Sequence, residues 1–180
     1  MTRAARVFSQ LCLALIALGI VAMIWLSPAP TPVYPLPAPL TGAIDRIQIE
    51  KSARRLTLWQ NGVPVRRYDV ALGFNPEGDK EIRGDGRTPE GRFHIDRRND
   101  RSGYHLSLGL DYPQPDDVAR ARAGGQDPGG DIFIHGQPNA LPDAVRLKGD
   151  WTAGCIALTN AEMREIWPAI PIGTPVDIDP

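Results

Sequence analysis

Two residues of this 180-residue chain carry side chains that can run acyl chemistry together. His135 ends the apolar run Asp131-Ile132-Phe133-Ile134-His135-Gly136, and Cys155 follows Thr152-Ala153-Gly154. Cysteine attack on a carbonyl needs a thiolate, a base or imidazolium beside it, and backbone N–H groups aimed at the developing oxyanion. A glycine before the nucleophile lets the backbone approach closely. His135 and Cys155 meet the first two needs if their strands lie side by side. Taken singly, each also has a plain structural reading, a buried thiol in an Ile/Leu run and a packed or solvated imidazole at a strand end.

The rest of the inventory is quickly sorted. Cys12 lies in an apolar N-terminal run, so the globular part owns a single thiol, which excludes an intradomain disulfide and a cysteine zinc site. His94 and His105 alternate with apolar residues and read as structural, and three histidines without paired carboxylates make no metal pattern. No metal or cofactor is expected. A formal net charge of -1 argues against nucleic acid as a partner.

Three segments point to one family. Thr88-Pro89-Glu90-Gly91-Arg92-Phe93, Ile134-His135-Gly136 and Thr152-Ala153-Gly154-Cys155-Ile156 resemble the catalytic domain of the L,D-transpeptidases, the YkuD-type cell-wall enzymes. The resemblance covers about residues 42–178. It implies a β-rich domain in which Cys155 attacks the peptide bond after the L-centre of meso-diaminopimelate in a peptidoglycan stem tetrapeptide. D-alanine leaves and a thioester forms. His135 falls on the family's base, which would hold Cys155 as thiolate and later deprotonate the acceptor. The Gly154 and Cys155 N–H groups would form the oxyanion hole, with Thr152, Ala153, Gly136 and Trp151 beside the substrate. The acceptor would be the amine of a second stem, giving a cross-link bearing on cell shape, or a lysine of an outer-membrane lipoprotein. A monomer is expected.

This sequence departs from the common family pattern at two positions, Ala153 where many members have His and Ala157 where many have Arg. The form Asp150-Trp151-Thr152-Ala153-Gly154-Cys155-Ile156-Ala157-Leu158 resembles a proteobacterial subgroup in which some members hydrolyse diaminopimelate linkages. Hydrolysis therefore stands beside transfer as the alternative. A silent wall-binding domain and a redox thiol are the readings from other classes. Both are disfavoured, the first because Cys155 and His135 are retained and the second because the domain has no resolving cysteine. Trp151 serves a donor groove or anchors the core. Asp150 orients His135 or caps a turn, and a backbone carbonyl is the other candidate to orient the imidazole. Arg83, Arg87 and Arg92 bind stem carboxylates or are solvated.

These residues need elements to hold them. Ile44, Ile47 and Ile49, then Leu56 to Trp59, then Val63 to Leu72 read as strands, with Asn61-Gly62 turning a hairpin between the last two. Residues 73–91 read as a long loop, followed by strands at Arg92–Asp96, Tyr104–Leu108, Asp131–Gly136, Cys155–Leu158 and Thr174–Ile178. Asp116–Ala123 has acidic residues first, basic residues last and a Gly124-Gly125 stop. Thr159-Asn160-Ala161-Glu162 makes a capping box for a helix to about Trp167. The expected fold is mainly β, a sandwich or partly closed barrel with one or two short helices.

The first 27 residues carry Arg3 and Arg6 ahead of an apolar run from Val7 to Leu26, the pattern of a signal sequence or a membrane anchor. Proline around each small residue that follows makes a poor cleavage site, which favours an uncleaved anchor in the inner membrane. The flanking positive charges place the remainder in the periplasm. Residues 28–41 carry six prolines at 28, 30, 32, 35, 37 and 39 and read as a stiff spacer of up to about 35 Å. Residues 42–180 are the expected catalytic domain.

Overall fold

Alternating burial builds the sheet. In β1 (Arg46–Glu50) Ile47 and Ile49 are buried while their neighbours face outward, and in β8 (Pro175–Asp179) Val176 and Ile178 do the same. The computed structural model describes residues 39–143 and 145–180. The anchor reading of residues 1–27 and nearly all of the spacer therefore fall outside the described residues. Pro39–Pro180 forms one compact unit, and among the described residues no helix is long and apolar enough to cross a membrane.

The sheet has eight strands in the order β3-β2-β1-β8-β4-β5-β6-β7. β2 (Arg55–Gln60) and β3 (Val63–Asp69) form the expected hairpin, with Asn61 and Gly62 at φ of 52° and 75°. β4 (Gly91–Ser102) runs six residues beyond the expected strand and pairs through two irregularities with β5 (His105–Leu110). Its second half, Arg97-Arg98-Asn99-Asp100-Arg101-Ser102, has no apolar alternation to announce it. β6 (Phe133–His135) lies between β5 and the two-residue β7 (Ile156–Ala157), antiparallel to the first and parallel to the second.

Of the two expected architectures, the partly closed barrel is the one formed. β3 and β7 are the two ends of the sheet, yet Ala71, two residues past β3, bridges Ala157 of β7, and Gly73 bridges Thr152. The Ala71 N–H donates to the Ala157 carbonyl at 3.0 Å and the Ala157 N–H returns a bond of 2.8 Å. The interior is filled by Ile47, Leu58, Ile95, Leu108, Ile134, Ile156 and Val176, all fully buried.

Two short helices complete the fold. In α1 (Pro115–Ala123) the Asp117 carboxylate accepts from the Gln114 N–H at 2.9 Å, and Gly124 ends the helix. In α2 (Asn160–Ile166) Thr159 and Glu162 form the expected reciprocal cap, Glu162 N–H to Thr159 Oγ1 at 3.2 Å and Thr159 N–H to Glu162 Oε2 at 2.8 Å. That cap holds the chain just after β7 and so fixes the far side of the candidate nucleophile's strand.

Candidate active site

His135 and Cys155 come from neighbouring parallel strands. Ile134 pairs with Ile156 and His135 with Ala157, and both isoleucines point into the core. By the two-residue alternation, Phe133, His135, Cys155 and Ala157 share the opposite face. Cys155 thus sits one strand across from His135 and two residues along the ladder. The two strands therefore lie side by side, as the sequence reading requires of them.

The imidazole is fixed from behind. Its Nδ1 lies 2.7 Å from the Gly136 carbonyl, which can only accept, so Nδ1 carries the proton and Nε2 is left with the free lone pair. A backbone carbonyl is thus the orienter. Asp150 instead accepts the Leu72 N–H on one oxygen at 2.9 Å and the Arg54 guanidinium on the other at 3.0 Å, so it secures the loop and does not reach the imidazole. Gly136 has no room for a side chain, because a Cβ there would lie 2.4 Å from Asn160 Oδ1 and 3.1 Å from the Tyr104 carbonyl. The same Asn160 oxygen accepts the Gln137 N–H at 2.7 Å, and the Gln137 side chain in turn accepts the Leu147 N–H.

The nucleophile's loop is held differently. Gly154 adopts φ of 137°, and a Cβ on it would lie 2.7 Å from the Arg87 carbonyl. Thr152 is buried and bridges its own turn, donating from Oγ1 to the Cys155 carbonyl at 2.7 Å and accepting the Gly154 N–H at 3.1 Å. The Gly154 N–H is therefore bonded within its own loop. Among the described residues the Cys155 N–H has no acceptor and remains available. Thr152 positions the loop. Ala153 is exposed, and Ala157 is fully buried and bridges Ala71.

The electrostatics favour the uncharged pair. Burial lowers the pKa of His135 below the usual value, against a smaller upward push from the Gly136 carbonyl. Burial raises that of Cys155, partly offset by the Phe133 N–H, which donates to Sγ at 3.4 Å. The thiol points toward the Asp131 carbonyl at 3.5 Å. Both shifts favour a thiol and a neutral imidazole over a thiolate and an imidazolium.

Of the remaining candidates, Trp151 reaches the site, its ring 5.8 Å from that of His135. Arg83 and Arg92 are ion-paired to Asp127 and Asp177, and the Arg87 guanidinium donates to the Asp79 carbonyl. Arg87 touches the site through its backbone alone. Thr88 of the Thr-Pro-Glu-Gly segment accepts the Gly73 N–H at 3.0 Å and so locks the strand that bridges Thr152. His94 pairs with Asp111 and His105 lies near Arg164. Sequence reasoning missed Tyr104, whose ring lies 4.8 Å from that of His135, and Asn160, which reads as an ordinary first helical residue. Among the described residues no group of three or more His, Cys, Asp or Glu side chains is placed to hold a metal ion.

Residues 44–178 match the family model of the YkuD L,D-transpeptidase catalytic domain. No curated protein matches the chain. Among solved structures, the helical cell shape determining protein Pgp2 from Campylobacter jejuni is 26% identical with a TM-score of 0.57, over 76% of this chain and 48% of that one. Bd1075 from Bdellovibrio bacteriovorus is 24% identical with a TM-score of 0.53, over 79% of this chain and 52% of that one, a likeness of fold. The chain spans about half the length of these two structures.

Proposed function

Because the chain belongs to the YkuD family of L,D-transpeptidase catalytic domains, we propose that it is a cysteine acyltransferase acting on meso-diaminopimelate-containing stem peptides of peptidoglycan. The observation that carries this reading is the shared sheet face of Cys155 and His135 together with the Nδ1 bond to the Gly136 carbonyl, which leaves Nε2 as base.

With both groups neutral at rest, the Cys155 proton passes to His135 Nε2 as sulfur attacks the donor carbonyl. The oxyanion that forms is met by the Cys155 N–H. The tetrahedral adduct collapses with loss of D-alanine, whose amine takes the proton back from Nε2, and a thioester remains. His135, neutral again, then accepts a proton from the incoming nucleophile as it attacks the thioester, and the thiol is released. The acceptor is a second stem's amine or a lipoprotein lysine. Residues 1–27 would tether this chemistry to the inner membrane, with residues 28–41 as spacer. The likeness to Pgp2 supports a bearing on cell shape.

Hydrolysis of the same thioester is the second reading, favoured by Ala153, a small exposed residue two positions before Cys155. Mass spectrometry of tetrapeptide muropeptides, free and lipoprotein-linked, after incubation with the purified chain decides between them. Dimers joined between two diaminopimelate residues, absent with Cys155→Ala, are expected from transfer. Tripeptides or freed lipoprotein without dimers would establish hydrolysis. No Cys155-dependent product from either substrate would overturn both.

A further inference from the structure

Tyr104 is a large aromatic residue left 45% exposed at the tip of the β4–β5 hairpin, and the chain holds it there with an unusual amount of polar machinery. The Asn139 side chain accepts the His105 N–H at 2.7 Å and donates to the Ser102 carbonyl at 3.0 Å, while the Asn139 N–H donates to the Gly103 carbonyl at 3.2 Å. Ser102 Oγ accepts the Tyr104 N–H at 3.0 Å, and the Tyr104 carbonyl accepts the N–H of Gly136 at 3.0 Å. His105 accommodates the bracket at a φ of 67°, a conformation that costs a non-glycine residue free energy. The outcome is a phenol ring 4.8 Å from His135 and 6.0 Å from Trp151. His135 itself is only 5% exposed although it stands on the sheet face away from the core.

We propose that Tyr104 is a positioning residue that, with Trp151, walls the His135 imidazole off from water and so keeps Nε2 unprotonated and reserved for the reacting thiol and acceptor. The inference rests on the proposed role of His135 as base. Among the described residues, the other titratable or charged groups on the elements packed around the imidazole are Cys155 on the β7 side, Asp131 ahead of β6 with its partner Arg97 of β4, His105 on β5 and, against His105, Arg164 of α2. None of these is changed by substituting Tyr104. The phenol hydroxyl is not required for the wall, so phenylalanine should replace it.

The test is an NMR titration of the imidazole carbons in the labelled 180-residue chain, with His135 assigned by its loss in His135→Gln. Tyr104→Ala should move the His135 midpoint upward by about half a unit to one unit, toward the ordinary histidine value, because water regains the ring. Tyr104→Phe should leave it in place. Asn139→Ala, which loosens the bracket and leaves the ring, should give a smaller shift of the same sign and serves if Tyr104→Ala does not fold. In stem-peptide turnover the acid limb of the pH profile should move with the NMR midpoint. An unmoved midpoint in Tyr104→Ala, or an equal shift in Tyr104→Phe, would overturn the proposal. A shifted midpoint in a protein that turns over no stem peptide would leave the wall standing and refute the role of His135 as base.

Discussion

The two halves of the site are secured by different means. His135 sits in a paired strand, and its immediate support is backbone and close packing: the Gly136 carbonyl, the Asn160 amide and the two ladders on either side. Cys155 ends a loop held by polar side chains, with Asp150 gripping Leu72 and Arg54, Thr152 bridging its own turn, and the Arg87 carbonyl packed against Gly154. His135 inherits its position from the fold, whereas Cys155 depends on a few replaceable contacts. Substitutions near Cys155 should therefore cost activity well before they cost the fold.

The largest expected effect is chemical. Cys155→Ala should remove all turnover of muropeptides and leave the thermal midpoint where it is, since the half-buried thiol fills little of the core. Residual turnover would refute the nucleophile assignment. Gly154→Ala should come next. Its Cβ meets the Arg87 carbonyl and its φ is unfavourable for alanine, so we expect about 1–3 kcal/mol of destabilisation and an acylation rate reduced out of proportion to it. Acylation by a carbapenem, followed as a mass increase on the intact chain, reads the rate.

Asp150→Ala breaks the comparison most directly. It strands the Leu72 N–H and releases Arg54, at about 1–3 kcal/mol for an unsatisfied buried donor. Acylation should slow while hydrogen exchange at β5 and β6 stays unchanged. Faster exchange at His135 would mean that the two halves are one unit. Alkylation of Cys155 should rise through alkaline pH, above the usual thiol range, because burial disfavours the thiolate. A plateau at neutral pH would indicate a standing ion pair with His135.

The smallest effect concerns the loop behind Gly154. Burial pushes the Asp85 carboxyl upward, but the Lys80 ammonium and the N–H groups of Ile82, Glu81 and Arg87 outweigh it and hold the pKa at about 2. A carboxyl depressed below its unfolded value stabilises above that value and loses the contribution as pH falls through the folded one. Between about pH 4 and pH 2, exchange at Arg87 should accelerate in the wild type. Asp85→Asn should already show it at neutral pH.

What the sequence made legible follows from what short-range chemistry can specify. The Asn61-Gly62 hairpin, the Thr159/Glu162 cap and the Cys155/His135 pair each announce themselves within a few residues or through a family likeness. Asp150 did not, because its partners Leu72 and Arg54 lie far back in the chain and only the barrel closure brings them near. Tyr104 read as part of an alternating strand, since nothing local says that a hairpin tip will fold over a histidine 31 positions later. The bond from the Gly154 N–H to Thr152 was not legible either, because residue types two apart allow it but do not decide it.

The bridge between Ala71 and Ala157 has a consequence for how this molecule behaves in company. A two-residue strand such as β7 would otherwise leave unpaired amides and carbonyls where any extended neighbour could dock. The reciprocal bonds across the seam occupy them. Among the described residues the outer margin of β3 is the edge that remains, and there Pro64 offers no N–H while exposed Arg67 brings charge. A chain closed in this way has little margin on which to seed strand-by-strand polymerisation, and crowding alone should not drive it into fibres.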